Sequence, residues 1–113
     1  MKRVKFYTRC HDCIKGEDTV KEVQGYTDGT FFYWRECTTW HAVNPATGLS
    51  TCHGNTLKAT IENANAPGNI NRVSAFLNRF GAESIKRFDD LLKNVGITEY
   101  NWQEVASVKR INK

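Results

Sequence analysis

The sequence contains no apolar segment long enough to cross a bilayer, no low-complexity run, no internal repeat and no linker. It also lacks the residue patterns of common enzymes: a Ser/His/Asp arrangement, a phosphate-binding glycine loop and an H-E-x-x-H zinc motif. Met1, Lys2 and Arg3 resemble the start of a signal peptide, but no apolar segment follows them. These absences favour a cytoplasmic protein that has no membrane partner and is not an enzyme.

The sequence does contain enough hydrophobic residues to form a core. Of its 113 residues, 40% are hydrophobic and 12% are aromatic. This length suits one ordinary domain, so residues 1–113 are predicted to form a single α+β domain. The net charge is +4, and residues 57–113 hold nine basic and six acidic side chains. Such an excess permits contact with nucleic acid, but it is also usual for a solvated surface.

Residues 1–54 are predicted to form an N-terminal antiparallel β-meander of about five strands. The clearest signal is Asp28-Gly29, because this dipeptide suits the positive φ angles of a two-residue hairpin turn. That turn would place Tyr26 opposite Phe31 and would fix the register of both strands.

A second hairpin is predicted around positions 44–48. Pro45 presets φ at the second position of this turn, and Gly48 can adopt the left-handed conformation that produces a bulge. Pro45 would also cost a ladder hydrogen bond inside a central strand, which favours the turn.

Residues 55–113 are predicted to form three to four short C-terminal helices packed on the sheet. The pattern gives a first helix capped by Thr56, a second over 70–80 that ends at Gly81, and a third over 83–95. The last segment, 102–111, fits either a helix or a terminal strand. The second helix places its apolar residues on one stripe: Ile70, Val73, Phe76, Leu77 and Phe80.

All four cysteines lie in the sheet half. The predicted register and the second hairpin would bring them together at one end of the sheet, where a structural Zn²⁺ could join three strand ends. The metal ligands would be Cys10, Cys13, Cys37 and Cys52, with His41 or His53 as a substitute. Free thiols that pack as small hydrophobic residues are an alternative, and disulfides are a third.

The segment from Phe31 to Trp34 is the densest aromatic patch of the chain. Successive residues of a strand point to opposite faces, so one set can enter the core while the other is exposed unless something covers it. An exposed set would suit a protein partner, either a host protein or a second copy, or single-stranded nucleic acid. The predicted binding surface comprises Phe32, Trp34, Trp40, Lys21 and Arg35.

Residues 91–108 resemble a helix-turn-helix. An apolar helix end is followed by Gly96 in the turn and then by a second apolar helix. In this interpretation the second helix would present Gln103, Ser107, Lys109 and Arg110 to DNA. Any antiparallel helix pair with a glycine cap produces much of this pattern, so the pattern is only weakly specific for DNA binding. Nucleic-acid binding is therefore the alternative to protein–protein contact.

The segment WHAVNPATGLS at positions 40–50 is followed by Gly54-Asn55-Thr56 and by a helix that contains Ile61 and Ala64. This hairpin-plus-helix stretch, about residues 40–64, resembles small accessory proteins encoded by phages and prophages of Gram-positive bacteria. Some proteins of that kind are inhibitors that bind host machinery for defence or replication. The resemblance implies a small binding protein, an accessory factor or inhibitor that acts by protein–protein contact.

Overall fold

A computed structural model describes residues 1–105 of the chain. Five strands form one antiparallel sheet in sequence order, and two helices follow them. The elements are β1 (Lys2–Asp12), β2 (Glu17–Thr27), β3 (Phe32–Glu36), β4 (Thr39–Val43), β5 (Ser50–Gly54), α1 (Leu57–Asn65) and α2 (Pro67–Asn94). The predicted α+β class and five-strand meander are confirmed. Within residues 1–105, no helix is long and apolar enough to cross a membrane.

The helical part differs from the predicted three to four short helices, because α2 is one continuous helix of 28 residues. Gly81 lies inside α2 rather than at its end. A glycine in a helix interior costs only about 1 kcal/mol, whereas α2 buries Phe88, Leu91 and Leu92 beyond it. The free energy gained by burying these side chains therefore outweighs the local preference of Gly81 to end the helix.

The predicted start of α1 is confirmed. The side chain of Thr56 accepts a hydrogen bond from the backbone N–H of Ala59 at 3.1 Å. Ala66 is extended and separates the two helices, and Pro67 begins α2, where the missing N–H of proline costs nothing. One face of α1 packs Leu57, Ile61 and Ala64 against the sheet.

The predicted register between β2 and β3 is wrong by two residues. Tyr26 pairs with Tyr33, not with Phe31, so the connection spans four residues rather than two. The carboxylate of Asp28 explains the longer loop, since it accepts hydrogen bonds from the backbone N–H groups of Thr30 and Phe31 at 2.9 Å each. It also accepts a hydrogen bond from the Tyr33 hydroxyl at 2.5 Å.

The two faces of the sheet are covered by different parts of the chain. The helix face carries Tyr33 and Ala42, which pack with α1, and Val20, which packs with α2. The opposite face, here the tail face, carries Phe6, Phe32, Trp34 and Val43, and its apolar part is covered by residues 100–105. Residues 102–105 form one helical turn, and the rest of the predicted segment 102–111 lies outside the described residues.

The turn between β4 and β5 has the predicted form. Gly48 adopts a φ of 71°, and the pairing of β4 with β5 shifts between Ala42 and Val43 as expected for a bulge. The Gly48 carbonyl accepts hydrogen bonds from the Arg9 N–H at 2.9 Å and from the Thr8 hydroxyl at 3.1 Å. The turn therefore lies against β1 at the opposite edge of the sheet.

Replacing Gly81 by alanine is expected to raise the free energy of unfolding by about 0.5–1 kcal/mol, because alanine loses less backbone entropy in a helix. The added Cβ would lie 3.6 Å from the Leu77 Cβ, an ordinary van der Waals contact. Urea denaturation of Gly81→Ala beside the parent chain measures the change. A loss of stability would contradict a continuous α2.

The control is Gly25→Ala, where a Cβ would lie 1.8 Å from the carbonyl oxygen of Tyr33. This substitution is expected to cost about 3 kcal/mol because the two strands must move apart.

Candidate functional site

The five residues of the predicted hairpin surface do not form one surface. Phe32 is 0% exposed and packs against Phe6, so its assignment to a binding surface is wrong. Trp34 lies on the tail face, whereas its neighbour Arg35 pairs with Trp40 on the helix face. The alternation of side chains along β3 divides the predicted set between opposite sides of the sheet.

On the tail face, Trp34 belongs to a polar and aromatic cluster. Its ring stacks on His41 with the centroids 5.3 Å apart, and the Lys21 ammonium lies 4.6 Å from its centroid. Glu36 forms an ion pair with Lys21 at 3.2 Å. The His53 ring is 6.5 Å from His41. We name these residues the Trp34 cluster.

Partial burial lowers the pKa of His41 in the Trp34 cluster. Glu36, whose carboxylate is 3.7 Å from the ring, opposes this shift, while His53 and Lys21 add to it. A lowered pKa favours the neutral imidazole at pH 7, and this is the form of His41 that stacks on Trp34.

The four cysteines do not meet as predicted. Cys13 and Cys37 are exposed in the turns after β1 and β3, and all four thiols are free. Cys52 packs with the α1 cluster on the helix face, whereas Cys10 lies on the tail face, an even number of residues from Phe6. The sheet itself separates these two sulfur atoms.

Within residues 1–105, no group of three or more His, Cys, Asp or Glu side chains is arranged to hold a metal ion. This finding does not support the set of Cys10, Cys13, Cys37 and Cys52, nor His41 or His53 as a substitute. Zinc binding stays a prediction that metal analysis tests.

The C-terminal part does not match a helix-turn-helix. Seven residues, 95–101, connect α2 to the helical turn at 102–105, whereas the motif uses a turn of three or four. Asn101 caps that turn by accepting from the backbone N–H groups of Gln103 and Glu104. Gln103 is exposed. The other predicted DNA contacts, Ser107, Lys109 and Arg110, lie outside the described residues.

The predicted apolar stripe of α2 is largely exposed. Between Ile70 and Phe80 no residue of α2 is buried, and Phe76 and Phe80 are 38% and 43% exposed. Their rings contact each other with the centroids 5.5 Å apart. The predicted helical stripe therefore exists, but the sheet covers only part of it.

Beside this stripe, two adjoining pockets form a groove between α2 and the segment 44–51. The pockets have volumes of about 180 and 420 Å³, and Leu49 and Phe76 line both. We name this feature the α2 groove. Its apolar lining residues are Leu49, Val73, Phe76, Leu77 and Phe80.

The helical spacing of apolar residues in the sequence identifies the α2 residues of the groove, but it does not indicate that they are exposed. An apolar stripe normally faces a core, and the sequence contains no signal that α2 extends past the elements it packs on. The sheet meets α2 mainly through Val20, near Phe88 and Leu91. The apolar residues of α2 that lie one to three helical turns before this contact therefore remain accessible to solvent.

Comparison with known proteins found no matching family model, no matching curated protein and no matching solved structure. The α2 groove and the Trp34 cluster are therefore interpreted from their own geometry.

Lowering the pH from about 7.5 to about 5.5 is expected to reduce the free energy of unfolding, and His41→Gln is expected to reduce that loss. The pKa of His41 is lowered in the folded chain, so below its ordinary value of 6.5 the unfolded chain binds the proton more readily. Urea denaturation at both pH values measures the difference. The same pH dependence in His41→Gln would contradict the partial burial of this ring.

Two thiols are expected to react rapidly with a disulfide reagent and two slowly. Cys13 and Cys37 are exposed, whereas burial raises the pKa of Cys10 and of Cys52 and so suppresses the reactive thiolate. Stopped-flow titration of the parent chain and of Cys13→Ser separates the classes, since the variant should lose one rapid thiol. Four protected thiols with one zinc per chain would instead support the predicted zinc site.

Proposed function

We propose that this chain is a non-enzymatic binding protein that acts by protein–protein contact through the α2 groove. The supporting observation is the exposed apolar stripe of α2, with Phe76 and Phe80 at the edge of the groove. Contiguous apolar surface is costly in water, and where a monomer keeps such a patch it often serves an interaction. Large aromatic side chains are also the residues that contribute most to binding energy in protein interfaces.

Within this proposal, the resemblance of residues 40–64 to phage and prophage accessory proteins suggests a role as an accessory factor or inhibitor. Residues 44–51, part of that stretch, form one wall of the α2 groove. A partner bound in the groove would therefore contact both the resembling stretch and α2.

The second candidate function is nucleic-acid binding, which the net charge of +4 favours. Arg72 and Arg87 line the α2 groove, and Arg79 lies over the Phe80 ring. Phosphate contacts release counterions, so this function predicts binding to generic DNA that weakens steeply as salt is raised. Contact with a protein partner through the α2 groove instead predicts no retention of generic DNA.

The test is the double variant Phe76→Ser/Phe80→Ser in affinity capture from a lysate of the source organism. The double variant is expected to capture about tenfold less of a specific partner than the parent chain does, or less still, because both rings would be buried in the complex. The matched control is Ile85→Ser, since Ile85 is 43% exposed on the same helix but lines a different pocket.

Equal capture by the parent chain, the double variant and the control would refute binding through the α2 groove. Salt-sensitive retention of generic DNA by all three proteins, without a protein partner, would instead favour the nucleic-acid function.

A further inference from the structure

We propose that the α2 groove accepts an acidic peptide segment of another protein that carries large apolar side chains. This inference rests on the proposed function and specifies the partner's chemistry. It follows from two properties of the groove, an apolar floor and a surplus of arginine at its walls.

The floor of the α2 groove accepts apolar side chains. Leu49 and Phe76 line both pockets, Val73 and Leu77 line the first, and Phe80 lines the second. The stretch of α2 from Arg72 to Arg87 is about 22 Å long at 1.5 Å per residue. The groove therefore has room for several large side chains from one peptide segment.

The charged groups around this floor are mostly cationic. Arg72 lines the first pocket, and Arg9 and Arg87 line the second. Arg79 lies over the Phe80 ring, 5.1 Å from its centroid. The guanidinium of Arg72 donates to the carbonyl oxygen of Thr51 at 2.6 Å, which fixes it at the wall between α2 and β5.

Two carboxylates partly offset these cations. Glu83 lines the second pocket, and Asp18 lies 3.9 Å from the Arg9 guanidinium. Burial lowers the pKa of Arg9, with Asp18 opposing this shift and the positive charge of Arg87 adding to it. Arg9 and Arg87 are thus close enough to repel each other. A carboxylate placed between them would relieve that repulsion.

A hydroxyl group in the second pocket also lacks an acceptor. Ser84 is 9% exposed, and its Oγ has no hydrogen-bond partner among residues 1–105. Ser84 lines the pocket that holds Arg9 and Arg87. The Oγ atom is itself almost wholly buried, so an oxygen in this pocket would give it an acceptor only after the side chain rotates toward the pocket.

Three other occupants fit these groups less well. In a two-fold dimer the groove would face itself, which brings arginines against arginines. Residues 106–113 of the chain carry Lys109, Arg110 and Lys113 and no acidic residue, so their charge is also wrong. Nucleic acid would satisfy the arginines but would leave the aliphatic floor of Leu49, Val73 and Leu77 in contact with a polar backbone.

The experiment is a selection of random peptides of about 16 residues, displayed on their encoding mRNA, against the full chain. Enriched peptides are expected to have net negative charge and several large apolar residues. Their affinity is expected to fall at least tenfold for Phe76→Ser/Phe80→Ser and about tenfold for Arg87→Glu. The matched control is Lys86→Glu, which makes the same charge change one residue away and outside the groove, and it should keep the parent affinity within about threefold.

The outcomes separate this inference from the proposed function. Neutral or basic peptides that depend on Phe76 and Phe80 would overturn the acidic partner and leave binding through the α2 groove intact. Peptides that are insensitive to Phe76→Ser/Phe80→Ser, or no enriched peptide, would overturn both. A dimer in sedimentation that this double variant abolishes would identify a second copy as the occupant and overturn the inference. Displacement of the selected peptides by generic DNA at physiological salt would also overturn it.

Discussion

Gly48 joins three parts of the fold, because its carbonyl group bonds to β1 and α2 packs against its Cα position. The Gly48 carbonyl accepts hydrogen bonds from Arg9 and Thr8, so the turn between β4 and β5 lies against the edge of the first strand at these two residues. A Cβ at Gly48 would lie 2.6 Å from the Phe88 ring, which shows how closely α2 approaches this turn. The sheet therefore curls until this turn meets the first strand, and part of that strand's edge is covered.

The α2 groove follows from this junction. Phe88 packs on Gly48 and reaches Val20 together with Leu91 and Leu92, so the C-terminal half of α2 is fixed to the sheet. The preceding half lies beside the segment 44–51, and its apolar side chains from Ile70 to Phe80 are not fully covered there. A rigid helix anchored at one half thus presents its remaining apolar side chains beside a fixed wall. Such preorganisation lowers the entropy cost of binding.

The Trp34 cluster and the four cysteines illustrate what alternation along a strand controls. Lys21, Trp34 and His41 meet because they occupy the same face of three neighbouring strands. The same alternation places Cys10 and Cys52 on opposite faces, although the order of the strands alone favours their convergence. The order of the strands therefore indicates which strand ends are near each other. Which side chains can touch is decided by the register, and by whether two residues are an even or an odd number of positions apart along a strand.

The sequence by itself determined the local elements: the five-strand meander, the turn at Gly48, the cap at Thr56 and the helical spacing of Ile70 to Phe80. These features depend on turn chemistry, capping and periodicity, which act over a few residues. Only the tertiary structure decided the β2–β3 register, where Asp28 lengthens the loop, and the continuity of α2 through Gly81. It also decided which part of the apolar stripe stays exposed. Each of these depends on contacts between residues distant in sequence, and that packing energy exceeds the local preferences.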